Sequence, residues 1–247
     1  MLNRICGALL VILLTGCATA ENSASVSTLE PKPAGDPADK AKLLKPRDKV
    51  DFVMTHNLNK DGSRNGEDFV QTADWRVSEF IGSGGVWTEG DAVHLVEGND
   101  MTGIVWGGPV PTMNYEVSLD AKRTGGEDFF CGLTFQYDKN PCSLVVGGWG
   151  GRLVGISSLD WQDASENGTA SWRDFTKDEW YAIRLRVTPG KIEAWIDGEQ
   201  LVDVDIENRG VGIRFEMEPT KPFGIATWRT SGAIKNIKIR AFEAGQP

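Results

Sequence analysis

The sequence predicts an all-β chain folded as a two-sheet antiparallel β-sandwich. Short runs of alternating apolar and polar residues recur between Val86 and Phe242, and no long stretch keeps a 3.6-residue apolar period. Turn-favouring clusters separate these runs, among them Asp138-Lys139-Asn140-Pro141 and Thr188-Pro189-Gly190-Lys191. There is neither an internal repeat nor an alternation of strands with helical segments. Two stacked sheets are then the economical way to bury the apolar faces of roughly a dozen strands.

The N-terminus has a different character. Met1 to Gly16 reads as a secretory signal, with Arg4 as its charge and Ile5 to Leu14 as an apolar run too short to span a bilayer. Leu14-Thr15-Gly16-Cys17 resembles the lipobox of bacterial lipoproteins. That resemblance implies lipidation at Cys17 and attachment to the bacterial cell envelope, with Ala18 favouring the outer membrane over the inner. Residues 17–48, rich in Ala, Ser, Pro, Lys and Asp, read as a flexible tether, and residues 49–247 as one domain. The 247-residue chain carries 26 basic and 35 acidic side chains. Loss of Arg4 with the signal leaves 25 against 35, a net charge near −10. Such a balance argues against nucleic acid or an anionic membrane as the partner surface, leaving the lipid as the only membrane link. Neutral sugars are compatible with it.

Val86 to Leu95 reads as two short strands around Glu89-Gly90-Asp91, and Gly103 to Trp106 as another, closed by Gly107-Gly108-Pro109. From Tyr115 to Ala121 the inward residues are Tyr115, Val117, Leu119 and Ala121. Phe129 to Gly151 reads as a hairpin across Asp138–Pro141. Pairing Tyr137 with Cys142 sets Phe135 opposite Leu144, Leu133 opposite Val146 and Cys131 opposite Gly148. One face is then apolar, and the other carries Thr134, Gln136, Ser143, Val145 and Trp149. That polar face is a platform for sugars, and it is equally what any sandwich sheet facing water looks like. A one-residue slip would mix the two faces. In this register Cys131 and Cys142 stand ~20 Å apart, beyond disulfide reach, so both are expected to be buried free thiols. Arg152 to Ile156 continues the sheet.

Trp180 to Asp205 holds the second strong hairpin. Pairing Val187 with Ile192 sets Arg186 opposite Glu193 and Arg184 opposite Trp195, an ion pair and a cation–π stack. Asp197-Gly198 turns the chain into Gln200–Asp205. Val211 to Met217 alternates as a strand with Arg214 and Glu216 on one face, and Phe223–Trp228 and Ile234–Phe242 close the fold.

Only His56 and His94 are present, and no serine elbow, phosphate loop or zinc spacing occurs. Catalysis would fall to carboxylates, a tyrosine or lysine, or an oxygen-bound metal. Ser157 to Asn167 is the densest candidate, setting Asp160, Asp163, Glu166 and Asn167 around Trp161, oxygen donors suited to a divalent cation such as calcium, with Asp160, Asp163 and Asn167 as the candidate ligands. It is equally an ordinary solvated loop. Glu116 and Asp120 share a strand face, and carboxyls ~5–9 Å apart would suit a glycosidase. The E-x-D-x-x-E strand pattern of many jelly-roll glucanases is absent.

The runs FFCGLTFQYDKNPCSLVVGGWGG, VGISSLDWQDASEN, WYAIRLRVTPGKIEAWIDGEQLVDVDI and KPFGIATW together resemble the 3-keto-disaccharide hydrolase domain family, over roughly Val86 to Phe242. The resemblance implies a concanavalin-like jelly roll, of the laminin-G type, acting on 3-keto-glycosides. A base removes the C2 proton, the C1 substituent leaves by elimination, and water adds back. A base near C2 and a cation or donor at the C3 oxygen are then needed. Under this resemblance Asp160, Asp163, Glu116 and Glu216 are candidates for base or ligand, and Arg214 or Arg184 for the oxyanion. Trp149 and Trp161 would stack on the sugar, with Gln136 and Thr134 as polar contacts. Two rival readings stand beside it, a non-catalytic carbohydrate-binding module and a cell-surface interaction domain.

Overall fold

The structure, a computed structural model, describes residues 42–67, 70–72 and 74–245. The expected signal segment, the lipidation at Cys17 and most of the tether lie outside these residues. In chain order the strands are β1 (Lys49–Val50), β2 (Met54–His56), β3 (Val70–Thr72), β4 (Trp75–Val77), β5 (Val86–Glu89), β6 (Ala92–Leu95), β7 (Met101–Trp106) and β8 (Tyr115–Gly126). They continue with β9 (Cys131–Tyr137), β10 (Asn140–Gly147), β11 (Leu153–Ser157), β12 (Ser171–Trp172), β13 (Tyr181–Thr188), β14 (Lys191–Ile196), β15 (Glu199–Asp205), β16 (Gly224–Trp228) and β17 (Thr230–Ala241). The count exceeds the expected dozen because strands of two or three residues, at or next to the sheet edges, are too short to register as alternation.

Two sheets face each other. One runs β1-β4-β7-β16-β9-β10-β11-β12, and the other β15-β14-β13-β8-β17-β2-β3 with β5 and β6 joined at β17. The ladders are antiparallel except for β2 beside β17. Side chains alternate between the shared core and the outer faces, as the pleat requires. Tyr115, Val117, Leu119 and Ala121 are buried as expected, against Leu133, Phe135, Leu144 and Val146 of the opposing sheet. Trp75, Trp106 and Phe223 form an aromatic cluster at one end.

The two hairpins test the register argument. In β13–β14 every expected pair is present: Val187 with Ile192, Arg186 with Glu193 and Arg184 with Trp195. The Arg184 guanidinium lies 3.8 Å from the Trp195 ring centre. In β9–β10 the expected register is two residues too loose. Tyr137 pairs with Asn140, Phe135 with Cys142, Leu133 with Leu144 and Cys131 with Val146. The turn closes on Asp138-Lys139 alone, with Asp138 at φ +53°, a conformation that Asp tolerates better than most residues. An even shift preserves face parity, so the apolar and polar sets survive. Cys131 and Cys142 are free and buried, and burial pushes both thiols up to about 12.

Three further expectations are corrected. Leu44 to Asp48, assigned to the tether, already belong to the fold: Leu44 exchanges backbone hydrogen bonds with Val86, and the Arg47 N–H donates to Val77. Val211–Met217 is not a strand. Leu159 bridges Val211, and the chain then winds into a 3-10 turn over Phe215–Thr220 that contains Pro219. The polar face of the hairpin is not solvated either. Thr134, Gln136 and Ser143 are buried beneath the loops described next.

Candidate functional site

The outer face of the eight-stranded sheet supplies the floor of a cavity of about 290 Å³. Met101 of β7, Ser143 and Val145 of β10, Ser157 of β11 and Trp228 of β16 project from it. The segment ahead of β9, the turn after β10, the loop after β11 and the 3-10 turn form its walls. Each wall has a local cause.

Ahead of β9, the Asp128 backbone N–H donates to Thr230 Oγ1 at 2.9 Å, and the Asp128 carboxylate accepts the Phe129 N–H at 2.7 Å. The Trp149 N–H also donates to this carboxylate. Burial raises the Asp128 pKa above the ordinary carboxylate value, against the opposing pull of those two amides and of Arg123 and Arg229. After β10 the chain reverses through Gly147-Gly148-Trp149-Gly150-Gly151. Trp149 has φ +46°, and Gly147, Gly150 and Gly151 also have positive φ. Glycine makes so tight a reversal cheap. The reversal lifts Trp149 beyond the end of β10 rather than onto the polar face of the hairpin, leaving it 40% exposed at the cavity edge.

In the loop after β11, Asp163 Oδ1 accepts from both the N–H and the hydroxyl of Ser165, at 2.8 and 2.6 Å. Asn167 is the internal tie of this loop. Its amide donates to the carbonyls of Ile156, Gln162 and Asp163, and its Oδ1 accepts from Thr169. From the start of the 3-10 turn, Arg214 reaches Asp163 Oδ2 at 3.0 Å and clasps Glu216 through two bonds of 2.8 and 3.2 Å. The hydrogen bond to Glu216, with the charges of Glu216, Asp163 and Glu166, raises the Arg214 pKa. The same bond holds Glu216 below its ordinary value. These bonds occupy three of the five N–H groups of a guanidinium, leaving two for a ligand oxygen.

The structure thus gathers Asp163, Arg214, Glu216 and Trp149 around one cavity. The other sequence-derived candidates lie elsewhere. Glu116 and Arg184 pair at 3.2 Å on the outer face of the opposite sheet. Asp160 is engaged by Arg209 and by the Gly210 N–H, both at 2.8 Å. Trp161 stands on an adjoining cleft with Phe215. Thr134 is bonded to Thr220 at 2.6 Å, and Gln136 donates to the Pro222 carbonyl at 2.9 Å, so the 3-10 turn and the residues just after it cover both.

The residues named for a divalent cation are held by other partners. Asp160 and Asp163 have both carboxylate oxygens engaged, and the Asn167 side chain is consumed within its loop. Among the described residues no group of three or more His, Cys, Asp or Glu side chains converges. Asp128, Phe129 and Trp228 were missed by sequence reasoning. For Asp128 a signal existed: an acidic residue directly before the apolar run, in Gly125-Gly126-Glu127-Asp128-Phe129, where a strand end can present it beside the sheet.

A family model described as the 3-keto-alpha-glucoside-1,2-lyase-like domain matches residues 65–240. No curated protein gives a significant match. Among solved structures the chain is similar to the carbohydrate binding module CBM66 from Bacillus subtilis, at 12% identity over 67% of this chain and 94% of that one, with a TM-score of 0.41. It is also similar to the exoplasmic/lumenal domain of VIP36, described in a Ca2+/Man3GlcNAc-bound form, at 13% identity over 71% and 86% with a TM-score of 0.48. The Emp46p carbohydrate recognition domain in its metal-free form matches at 13% identity over 69% and 89%, with a TM-score of 0.44.

Proposed function

Because the chain belongs to the 3-keto-alpha-glucoside-1,2-lyase-like domain family, we propose that it cleaves 3-keto-glucosides by elimination at this cavity. The observation that carries the assignment is the pairing of opposites on one wall set. Asp128, a carboxyl made more basic by burial, opens onto the same space as Arg214, a cation with N–H groups to spare.

The ketone at C3 acidifies the C2 proton. Asp128 takes that proton, and the electron pair of the C2–H bond forms the enolate, with its negative charge on the C3 oxygen. Arg214 donates to that oxygen, oriented by Asp163 and Glu216. Collapse of the enolate restores the C3 carbonyl, forms the C1–C2 double bond and breaks the C1–O bond. The aglycone oxygen departs with the electron pair and acquires a proton. Addition of water to the unsaturated sugar completes a net hydrolysis. Trp149, Phe129 and Trp228 supply apolar faces for the ring. Attachment to the cell envelope through a lipid on Cys17 belongs to the same proposal, supported by Leu14-Thr15-Gly16-Cys17 and tested by mass spectrometry of the mature N-terminus.

The function is tested by incubating the protein with a chromogenic 3-keto-glucoside and with the corresponding glucoside. Release from the keto sugar alone, with an unsaturated 3-keto sugar detected by mass, is the expected result. Saturable binding of either sugar without release would assign the cavity to a binding module.

A further inference from the structure

We propose that the cleft beside the cavity is a subsite for the leaving group, and that it takes a flat, apolar aglycone rather than a second sugar. The inference rests on the eliminative reading above, since only bond cleavage at C1 defines a leaving group. The cleft measures about 250 Å³ and shares Asp163, Arg214 and Glu216 with the cavity, so the two spaces adjoin at that ion-paired cluster. Its apolar side is Trp161, Ile213 and Phe215. Trp161 is 92% exposed and Phe215 79% exposed, a combination that contributes little to folding.

The backbone beneath Trp161 points the same way. Leu159 and Gln162 exchange N–H to carbonyl bonds of 3.0 and 2.9 Å, closing a turn on Asp160 and Trp161. Both central residues have positive φ, +52° and +68°. That is the primed turn in which Asn-Gly is favoured, and a tryptophan in the glycine place is strained. Asp160 holds the turn through Arg209 and the Gly210 N–H. A strained residue whose side chain is spent on solvent marks a site kept for something other than stability.

The chemistry of the occupant follows from what is already engaged. Asp163 gives one oxygen to Ser165 and the other to Arg214, and both Glu216 oxygens accept from Arg214. Ser158 and Glu166 complete the lining, so a pyranose ring seated here would draw its hydroxyl partners chiefly from these two side chains. The larger recognition elements are the two exposed aromatic faces of Trp161 and Phe215 and the branched chain of Ile213, which match an aryl or similarly planar group.

The test compares phenyl, methyl and glucosyl 3-keto-glucosides on the wild type, Trp161→Gly and Phe215→Ala. The phenyl-over-methyl preference in kcat/KM should fall about tenfold in each variant. Trp161→Gly should also melt at a higher temperature than the wild type, because glycine relieves the positive φ; a merely structural tryptophan would melt lower. A preference unchanged within twofold in both variants overturns the subsite while leaving the eliminative reading intact. A wild-type rim that favours the glucosyl compound over the phenyl one overturns the apolar assignment. If the wild type turns over none of the three, the eliminative reading fails. Calorimetric binding of the phenyl and methyl compounds then decides the subsite by the same preference and the same variants.

Discussion

Replacing Asp128 with Asn separates what this carboxyl does in chemistry from what it does in the fold. Its Oδ1 accepts the Phe129 N–H at 2.7 Å, a bond that an amide oxygen in the same place retains, so the wall of the cavity should persist. The charge does not. Burial raises the folded pKa of Asp128 above its unfolded value, so between the two values the folded chain binds more protons than the unfolded one. The contribution of this group to stability is therefore full below the unfolded pKa, about 3.9, and is lost as pH rises through the folded pKa. At neutral pH the ionised carboxylate is a net cost, moderated by the solvent that reaches this half-buried group. Asp128→Asn removes that cost while losing at most one charge-assisted acceptor. The melting temperature at pH 7.5 should accordingly stay level or climb by about 2–4 °C per kcal/mol recovered. Positioned general bases contribute roughly 10²–10⁴-fold, so kcat/KM on a 3-keto-glucoside should fall at least about 100-fold. The rising acid limb of the wild-type pH–rate profile should vanish from the residual rate. Retention of more than about a tenth of the wild-type kcat/KM would refute the assignment of Asp128 as base, whatever the melting curve shows.

Arg214→Met should lower kcat/KM by at least about 100-fold, as for loss of an oxyanion donor, and destabilise the protein by about 2 kcal/mol. The second figure is the value of charge-assisted hydrogen bonds discounted for the partial exposure of the arginine. Glu216, whose folded pKa Arg214 holds down, adds stability above its unfolded pKa that is lost as pH falls through the folded one. The gap between wild type and variant in urea midpoints should therefore narrow at acid pH, and a constant gap would contradict the pairing. Glu116→Gln and Arg184→Met, on the opposite sheet, should leave kcat/KM within twofold and cost no more than about 1 kcal/mol each; a large kinetic loss in either would mean that the wrong face was chosen. His56 is buried with Nε2 unpartnered among the described residues, its ring edge-on to Trp106, and burial lowers its pKa. Stability should thus decline as pH falls below the unfolded histidine value of about 6.5, and His56→Phe should flatten the urea midpoint between pH 7.5 and 5.5, with an unaltered slope counting against the buried neutral ring.

Alternation alone established the long strands of this chain and the faces they present, because a period of two is a local property of each run, but it misled at Val211–Met217, which alternates and yet leads into a 3-10 turn. It located both long hairpins, and in β13–β14 the pairing of opposites at Arg186–Glu193 and Arg184–Trp195 settled the register as well. It did not settle β9–β10, where a shift of two residues leaves the parity of every side chain unchanged and only the turn geometry at Asp138 chooses between registers. The loop Ser157–Asn167 was legible as a cluster of carboxylates and amides. Which of them faces a cavity was not, since Asn167 is spent on the loop's own carbonyls while Asp163, four residues earlier, meets Arg214 across 51 positions of chain. The acid most apt for proton transfer was passed over because nothing adjacent to Asp128 in sequence buries it. Thr230, Trp149 and the outer face of the eight-stranded sheet do so. Strand identity is written in neighbouring residues, whereas desolvation and charge pairing depend on groups that only the closed sandwich brings within reach.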